Sequence, residues 1–265
     1  MTGSGDDIIL EMKGRGDSDM KISICIDAVF GNRNFIESMK AVRKEGVRGF
    51  EFWTWWDKDL KALKSAQEEL GMESVAFCTK FISLVDASKR EAYIQGLKES
   101  IEAAEFMGCK TLISQVGNDN GHPREQQHKN IVAGLKECAP FLEKSGITLA
   151  IEPLNVNVDH AGYYLSSSLE GFGIIDETGS ANVKLLFDIY HQQITEGDII
   201  RNMTGNIEKI GHFHAAGNPG RNELYFGEIN YPEVFKAIDA TGYNGYVGFE
   251  YFPKDEPAKG IKAFL

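Results

Sequence analysis

The sequence predicts an α/β protein folded as a single (β/α)8 TIM barrel, and three observations carry that expectation. From Met20 onward a short apolar strand, a loop and an amphipathic helix repeat, with strand centres about every 26 to 37 residues, the spacing of successive βα units. Eight such units follow one another with no Pro/Gly/Ser linker between them. Several strands set a bulky apolar face against a face of small and polar groups. That suits a parallel barrel, whose outer face meets helices and whose inner face fills a narrow interior. A doubly wound open sheet is the competing architecture, but no GxGxxG or Walker A loop follows the first strand.

Taken in order, KISICID (21–27) opposes Ile22, Ile24 and Ile26 to Ser23, Cys25 and Asp27, and a helix is expected over 34–45, closed by Gly46. VRGFEFW (47–53) runs into the loop FWTWWDKDL and a helix over 57–70 that stops at Gly71. ESVAFCT (73–79) and KTLISQV (110–116) precede helices over 88–107 and 123–145, each ended by a glycine, Gly108 and Gly146. ITLAIEP (147–153) turns Thr148, Ala150 and Glu152 away from Ile147, Leu149 and Ile151, with a helix to follow over 164–179. VKLLFDI (183–189) leads to a helix over 196–208, KIGHFHA (209–215) to one over 231–241, and GYVGFEY (245–251) to a short one from about Asp255. Residues 1–19 are polar, Gly-rich and acidic, and are expected to be a flexible tail ahead of a barrel spanning 20–265.

Composition narrows the function classes. With 42% hydrophobic and 25% charged residues among 265, the chain has enough apolar mass for a sizeable core. A net charge of -11 works against binding a nucleic-acid backbone and leaves room for a cation among carboxylates. No apolar run nears the roughly 18 residues of a membrane span, and no secretory signal is apparent, so a cytoplasmic protein with no membrane partner is expected. Cys25, Cys78, Cys109 and Cys138 are widely spaced with no CxxC pair, which suits reduced, mostly buried thiols.

Four consecutive strands end in residues able to hold a hard metal ion: Glu152 in AIEPLN, Asp188 in LLFDIYH, His212 and His214 in GHFHAAG, and Glu250 in GFEYF. Adjacent strand ends surround one quadrant of a barrel mouth, where active sites are built. A lone acid at a strand end is ordinarily a helix cap or a solvated loop residue. Four ligand-type residues ending four successive apolar strands are poorly explained that way, because burying such charges unpartnered costs several kcal/mol or more. Three carboxylates and one imidazole suit Mn²⁺ or Mg²⁺, and Co²⁺ or Zn²⁺ less well. His214 is preferred to His212 because it lies nearer the strand end. Trp53, with Trp55 and Trp56, follows the second strand at the same mouth and could wall a sugar; Tyr163 and Tyr164 raise the same reading.

IEPLN, LLFDIYHQQ, IGHFHAAGNPGRNE, GEINY and GYNGYVGFEYFP together resemble the hydroxypyruvate isomerase branch of the xylose isomerase-like barrels, from about Met20 to Pro253. That superfamily also holds D-tagatose 3-epimerase-like enzymes and the endonuclease IV class. The resemblance implies one divalent metal on Glu152, Asp188, His214 and Glu250, with Glu152 and Glu250 also exchanging protons with substrate. It implies substrate contacts at His191 and Arg221, to which Asn155 of IEPLN and Trp53 are added. The chemistry implied is proton transfer next to a carbonyl through a cis-enediolate: isomerisation of hydroxypyruvate to tartronate semialdehyde, or alternatively ketose 3-epimerisation or 2-oxo-tetronate isomerisation. The implied partner is a small hydroxy-keto acid or sugar, and since barrels of this superfamily often pair, a homodimer is compatible with it. Two departures leave the substrate open. Val156-Asn157 stands where the hydroxypyruvate enzymes often carry Thr-Arg, and Val158 where the tagatose epimerases carry a second glutamate.

Overall fold

In the computed structural model, which describes residues 20–265, eight parallel strands close on themselves in sequence order; the expected tail at 1–19 lies outside the described residues. The strands are β1 (Lys21–Cys25), β2 (Gly49–Phe52), β3 (Glu73–Cys78), β4 (Thr111–Ser114), β5 (Thr148–Ile151), β6 (Val183–Asp188), β7 (Ile210–Ala215) and β8 (Tyr246–Phe249). The closure is the pairing of β1 with β8, where Ile22 meets Val247 and Ile24 meets Phe249. This is the expected (β/α)8 barrel, and each strand falls inside the segment that the sequence repeat marks.

The helices are α1 (Ile26–Phe30), α2 (Phe35–Lys44), α3 (Leu60–Leu70), α4 (Arg90–Met107), α5 (Arg124–Ser145), α6 (Ser168–Thr178), α7 (Ile189–Thr195), α8 (Ile199–Thr204), α9 (Tyr231–Ala240) and α10 (Pro257–Lys262). Caps explain several of their bounds. Asp59 accepts from the Lys61 and Ala62 amides at 3.1 and 3.0 Å and starts α3, while Gly71 at φ 60° ends it in the left-handed region. Ser167 caps α6, so that helix begins at Ser168 and not at 164, and Tyr163 and Tyr164 lie in the loop before it.

Two helices were not legible as such. α1 follows β1 with no loop, so Ile26 and Asp27 belong to a helix and not to the strand. α7 follows β6 in the same way: Asp188 accepts from the Tyr190 and His191 amides at 2.8 and 3.2 Å and caps it. The single helix expected over 196–208 is reduced to α8 and a 3-10 turn at Ile207–Lys209. Asp198 at φ 49° breaks the run immediately before α8.

Outward side chains such as Ile24, Phe50, Phe52, Phe77, Leu149, Phe187 and Phe249 join the helices in one continuous core. Fully burying a side chain of this kind is worth roughly 1.5–3 kcal/mol. A second, smaller apolar cluster of Ala76, Cys78, Ile113, Ala150 and Leu186 fills the barrel interior. The faces expected for β1, β5 and β8 are those observed. Register then does the work of placing the site: Asp188 pairs with His214 and His214 with Gly248, so the ends of β6, β7 and β8 rise together. Among the described residues no helix is long and apolar enough to cross a membrane.

Candidate metal and proton-transfer centre

The ends of β5 to β8 bring Glu152, Asp188, His214 and Glu250 together, with one candidate ligand atom from each within 4.8 Å of the others. All four are buried, at 5%, 1%, 3% and 6% exposure, so the acids cannot rely on bulk water to spread their charge. His214 Nδ1 lies 3.3 Å from Glu250 Oε2 and 4.0 Å from Glu152 Oε1, yet it is buried without a hydrogen-bond partner. An orphaned imidazole nitrogen facing three carboxylates is the geometry a divalent cation satisfies, and the oxygen-rich donor set suits a hard ion. The site fits a metal.

The surroundings treat the two glutamates differently. Glu250 is held from three sides: Trp53 Nε1 donates to Oε1 at 2.6 Å, Arg221 donates to Oε2, and His214 stands beside it. Burial pushes its carboxyl up, but Arg221 and His214 overcome that and hold it well below the usual range. Glu152 accepts only from Gln115 Nε2 at 3.0 Å; burial first, then the charge of Glu250, push it up to about 8. The metal-free protein therefore meets its surplus of negative charge by favouring a proton on Glu152. A cation in the same place removes the need for it.

Arg221, on the loop after β7, also reaches within 3.9 Å of Asp188. It sits at φ 53°, a conformation non-glycine residues seldom adopt, and its carbonyl accepts from the Phe252 amide at 2.7 Å.

His191, in the first turn of α7, has Nε2 3.6 Å from Asp188 Oδ2. Asn155 is fully buried and stands behind it, not in the cavity. Asn155 Oδ1 accepts from the Val158 and Asp159 amides at 3.0 and 3.2 Å, which turns its NH₂ group toward Asp159 Oδ2 and His191 Nδ1, at 2.7 and 2.6 Å. An NH₂ group only donates, so His191 Nδ1 is the acceptor and the ring proton is on Nε2. Burial lowers the His191 pKa to about 4, so the ring is neutral and Nε2–H, lacking a partner, is aimed at the metal quartet.

Glu152, His214 and Glu250 line a cavity of about 1030 Å³ that extends under the loops after β3 and β4, past Phe81 and Asn118. Trp53 lines it; Trp55 instead donates to Ser100 Oγ at 3.1 Å, and Trp56 packs edge-on against Phe81 at the rim. Tyr163 accepts from the Val116 amide at 2.7 Å and donates to the Glu152 carbonyl at 3.0 Å, fixing the end of β5, whereas Tyr164 turns to Arg124 and Glu170.

A family model described as the xylose isomerase-like TIM barrel matches residues 39–265. The chain belongs to that family. It is 32% identical over 253 residues to hydroxypyruvate isomerase of Escherichia coli (strain K12), covering 92% of this chain and 97% of that one. It is 28% identical over 251 residues to 2-oxo-tetronate isomerase of Cupriavidus necator, covering 89% and 94%. A crystal structure of an AP endonuclease, family 2, from Brucella melitensis superposes with a TM-score of 0.89 at 25% identity, over 92% of this chain and 98% of the other. These curated relatives are isomerases, and the chain is an isomerase enzyme.

For this xylose isomerase-like barrel, sequence reasoning missed a layer beneath the quartet. Glu51, central in β2 and 1% exposed, accepts from His212 Nε2 at 2.9 Å, His214 Nε2 at 2.8 Å and Ser23 Oγ. Burial raises its carboxyl, but the two imidazoles prevail and hold it far below the usual range. The signal was present: in GFEFW a charge sits between two phenylalanines, on the strand's inward parity. His160, also passed over, lines the cavity and packs edge-on against His191 with ring centres 5.3 Å apart.

Proposed function

We propose that this barrel is a divalent-metal-dependent isomerase of the hydroxypyruvate isomerase type, converting hydroxypyruvate to tartronate semialdehyde. The observation that carries this reading is the pair Glu152 and Glu250, brought with Asp188 and His214 into one buried ligand quartet at the barrel mouth. The likeness to the E. coli hydroxypyruvate isomerase supports the substrate class. Mn²⁺ or Mg²⁺ on Glu152, Asp188, His214 and Glu250 would supply Lewis acidity to the carbonyl and the adjoining hydroxyl.

The chain's own groups do the rest. One glutamate takes the proton from C3, and it or the facing glutamate returns one at C2 while the hydroxyl proton of O3 passes to O2, so the intermediate is an enediolate that never leaves the site. Trp53 and Arg221 hold Glu250 in place, and Gln115 holds Glu152. His191 Nε2–H donates to the substrate oxygen on which charge grows, and Arg221 faces the carboxylate of the substrate. Asn155 acts through His191 by keeping its Nδ1 an acceptor. Asn155→Leu is expected to lower kcat/KM by roughly 10- to 100-fold, the usual cost of an outer partner. Metal affinity should stay within about twofold, as read by steady-state kinetics and calorimetric titration.

The likeness to the 2-oxo-tetronate isomerase of Cupriavidus necator brings 2-oxo-tetronates in as a second substrate class. A panel of hydroxypyruvate, 2-oxo-tetronates and ketohexoses in deuterated buffer, with Mn²⁺ or Mg²⁺ and with chelator, tests the proposal. Deuterium at C2 of tartronate semialdehyde, abolished by chelation, is the expected result. Turnover of ketoses alone, with deuterium at C3, would replace the isomerase reading by an epimerase.

A further inference from the structure

The layer beneath the quartet contains the family of contacts that the proposed reaction does not itself use. Glu51, His212 and Ser23 come from β2, β7 and β1 and meet inside the barrel below His214. Their atoms are also close enough to form a second ligand group of Glu51, His212 and His214. Both Glu51 oxygens, however, are already taken. Oε1 accepts from Ser23 and His212, and Oε2 accepts from His214. None of these atoms is left without a partner, whereas His214 Nδ1 above them is.

An ionised carboxylate only accepts, so both imidazoles must present N–H at Nε2. For His214 that commits Nε2–H to Glu51 and leaves Nδ1 as the nitrogen directed at Glu152, Asp188 and Glu250. The rings of His212 and His214 lie nearly perpendicular, with centres 5.1 Å apart, so each reaches one of the two Glu51 oxygens without competing for the same lone pair. β8 makes room for this arrangement. A Cβ on Gly248 would stand 2.4 Å from Glu51 Oε1 and 2.8 Å from His214 Cδ2, so the inward face of β8 has to be bare at that level.

We propose that Glu51 is a positioning residue that fixes the tautomer and ring orientation of His214 so that Nδ1 is presented to a divalent cation, with His212 and Ser23 holding Glu51 and Gly248 leaving space for it. The inference rests on the metal-binding reading of the quartet and goes beyond it, because none of these four residues touches substrate. Metal-bound histidines commonly have such a carboxylate on the other ring nitrogen, and its loss typically costs 10- to 100-fold in affinity.

Glu51→Gln tests this with little change of shape. A glutamine has one accepting and one donating end, so it can satisfy only one of two N–H groups, and the His214 ring loses its fixed partner. Gly248→Ala is the second variant, since it displaces the Glu51–His214 pair sterically and changes no polar group. Chelator-stripped wild type and variants are titrated calorimetrically with Mn²⁺ alone, and folding is checked by circular dichroism. Both variants are expected to bind roughly 10- to 100-fold more weakly. In ¹⁵N-histidine-labelled wild type loaded with Zn²⁺, His214 is expected to carry its proton on Nε2, and in Glu51→Gln that signature is expected to weaken. Equal Mn²⁺ affinity in wild type and a folded variant, or a wild-type His214 protonated on Nδ1 when loaded, overturns the positioning role while leaving the metal centre standing. Wild type that takes up no divalent ion overturns both.

Discussion

Glu152→Gln and Glu250→Gln are each expected to lower kcat by about 10²- to 10⁴-fold, the range lost when a positioned proton-transfer group is removed. Both change an oxygen for an NH₂ group and nothing else in shape, so with the divalent ion at saturation the loss in kcat is that of the proton-transfer group. Their effects on the fold should differ, and that difference tests the electrostatic picture. Glu152 is bonded by one donor, Gln115 Nε2, which the amide oxygen of a glutamine can still accept. A neutral side chain also matches the state that burial and the charge of Glu250 favour there in the metal-free protein. The metal-free Glu152→Gln protein should therefore melt within about 2 °C of wild type, a change of under roughly 1 kcal/mol for a domain of this size. Glu250 is bonded by Trp53 on one oxygen and Arg221 on the other, so a glutamine must turn its NH₂ toward one of these donors. Leaving a buried donor unpaired costs about 1–3 kcal/mol, and the Glu250→Gln protein should melt several degrees lower. Product formation and thermal melts on the same preparations decide the matter. Retention of more than a tenth of wild-type kcat in either folded variant would remove that glutamate from the proton path.

What could be read from the residues, and what could not, divides along physical lines. The repeat of short apolar strand, loop and helix marked all eight strands, and period-two alternation gave the inward face of three of them, β1, β5 and β8. The quartet was visible because apolar strands that end in acids are costly unless the acids share a partner. The signal failed where a strand passes directly into a helix. Asp188 was read as a strand end, but it also caps α7, and the first turn of that helix is what carries His191 back toward the site. Glu51 was overlooked although its inward charge stood out in GFEFW, because the partners that explain it, His212 and His214, lie 161 and 163 residues further along the chain. Asn155 shows the limit of residue type alone. Its identity suggests a substrate contact, whereas its two backbone acceptor bonds turn its amide onto a histidine.

Gly227→Ala is expected to be the most damaging single-methyl change near the site, costing roughly 2–4 kcal/mol and lowering the melting temperature by about 5–15 °C. The residue lies at φ 99° in the loop between β7 and α9, and a Cβ there would sit 1.9 Å from the Asn218 carbonyl oxygen. Neither atom belongs to a flexible side chain, so the backbone itself has to move. That backbone is tied at several points. Gly217 donates to the Asn222 carbonyl at 2.7 Å, and Glu228 donates to the Asn218 carbonyl at 2.8 Å. The buried carboxylate of Glu223 accepts from the Lys254 and Asp255 amides at 3.0 and 3.2 Å, clasping this loop to the one that follows β8. Arg221 sits inside the clasp, and its left-handed backbone is held there by the surrounding bonds and not by its own preference. Shifting residue 218 should release Arg221 from Glu250 and Asp188, so kcat should fall together with stability even though Gly227 touches neither substrate nor ligand residue. Gly242→Ala is the matching control. It also replaces a glycine in the left-handed region, at φ 75°, but its Cβ would meet nothing within 4 Å, and it lies in the turn ahead of β8 at the other end of the barrel. Only the intrinsic backbone cost of about 1 kcal/mol should appear there, with kcat unchanged. Thermal melts and kinetics on the pair separate the two effects: equal losses of stability, with wild-type turnover in Gly227→Ala, would mean that the loop's ties do not hold Arg221 in its working position.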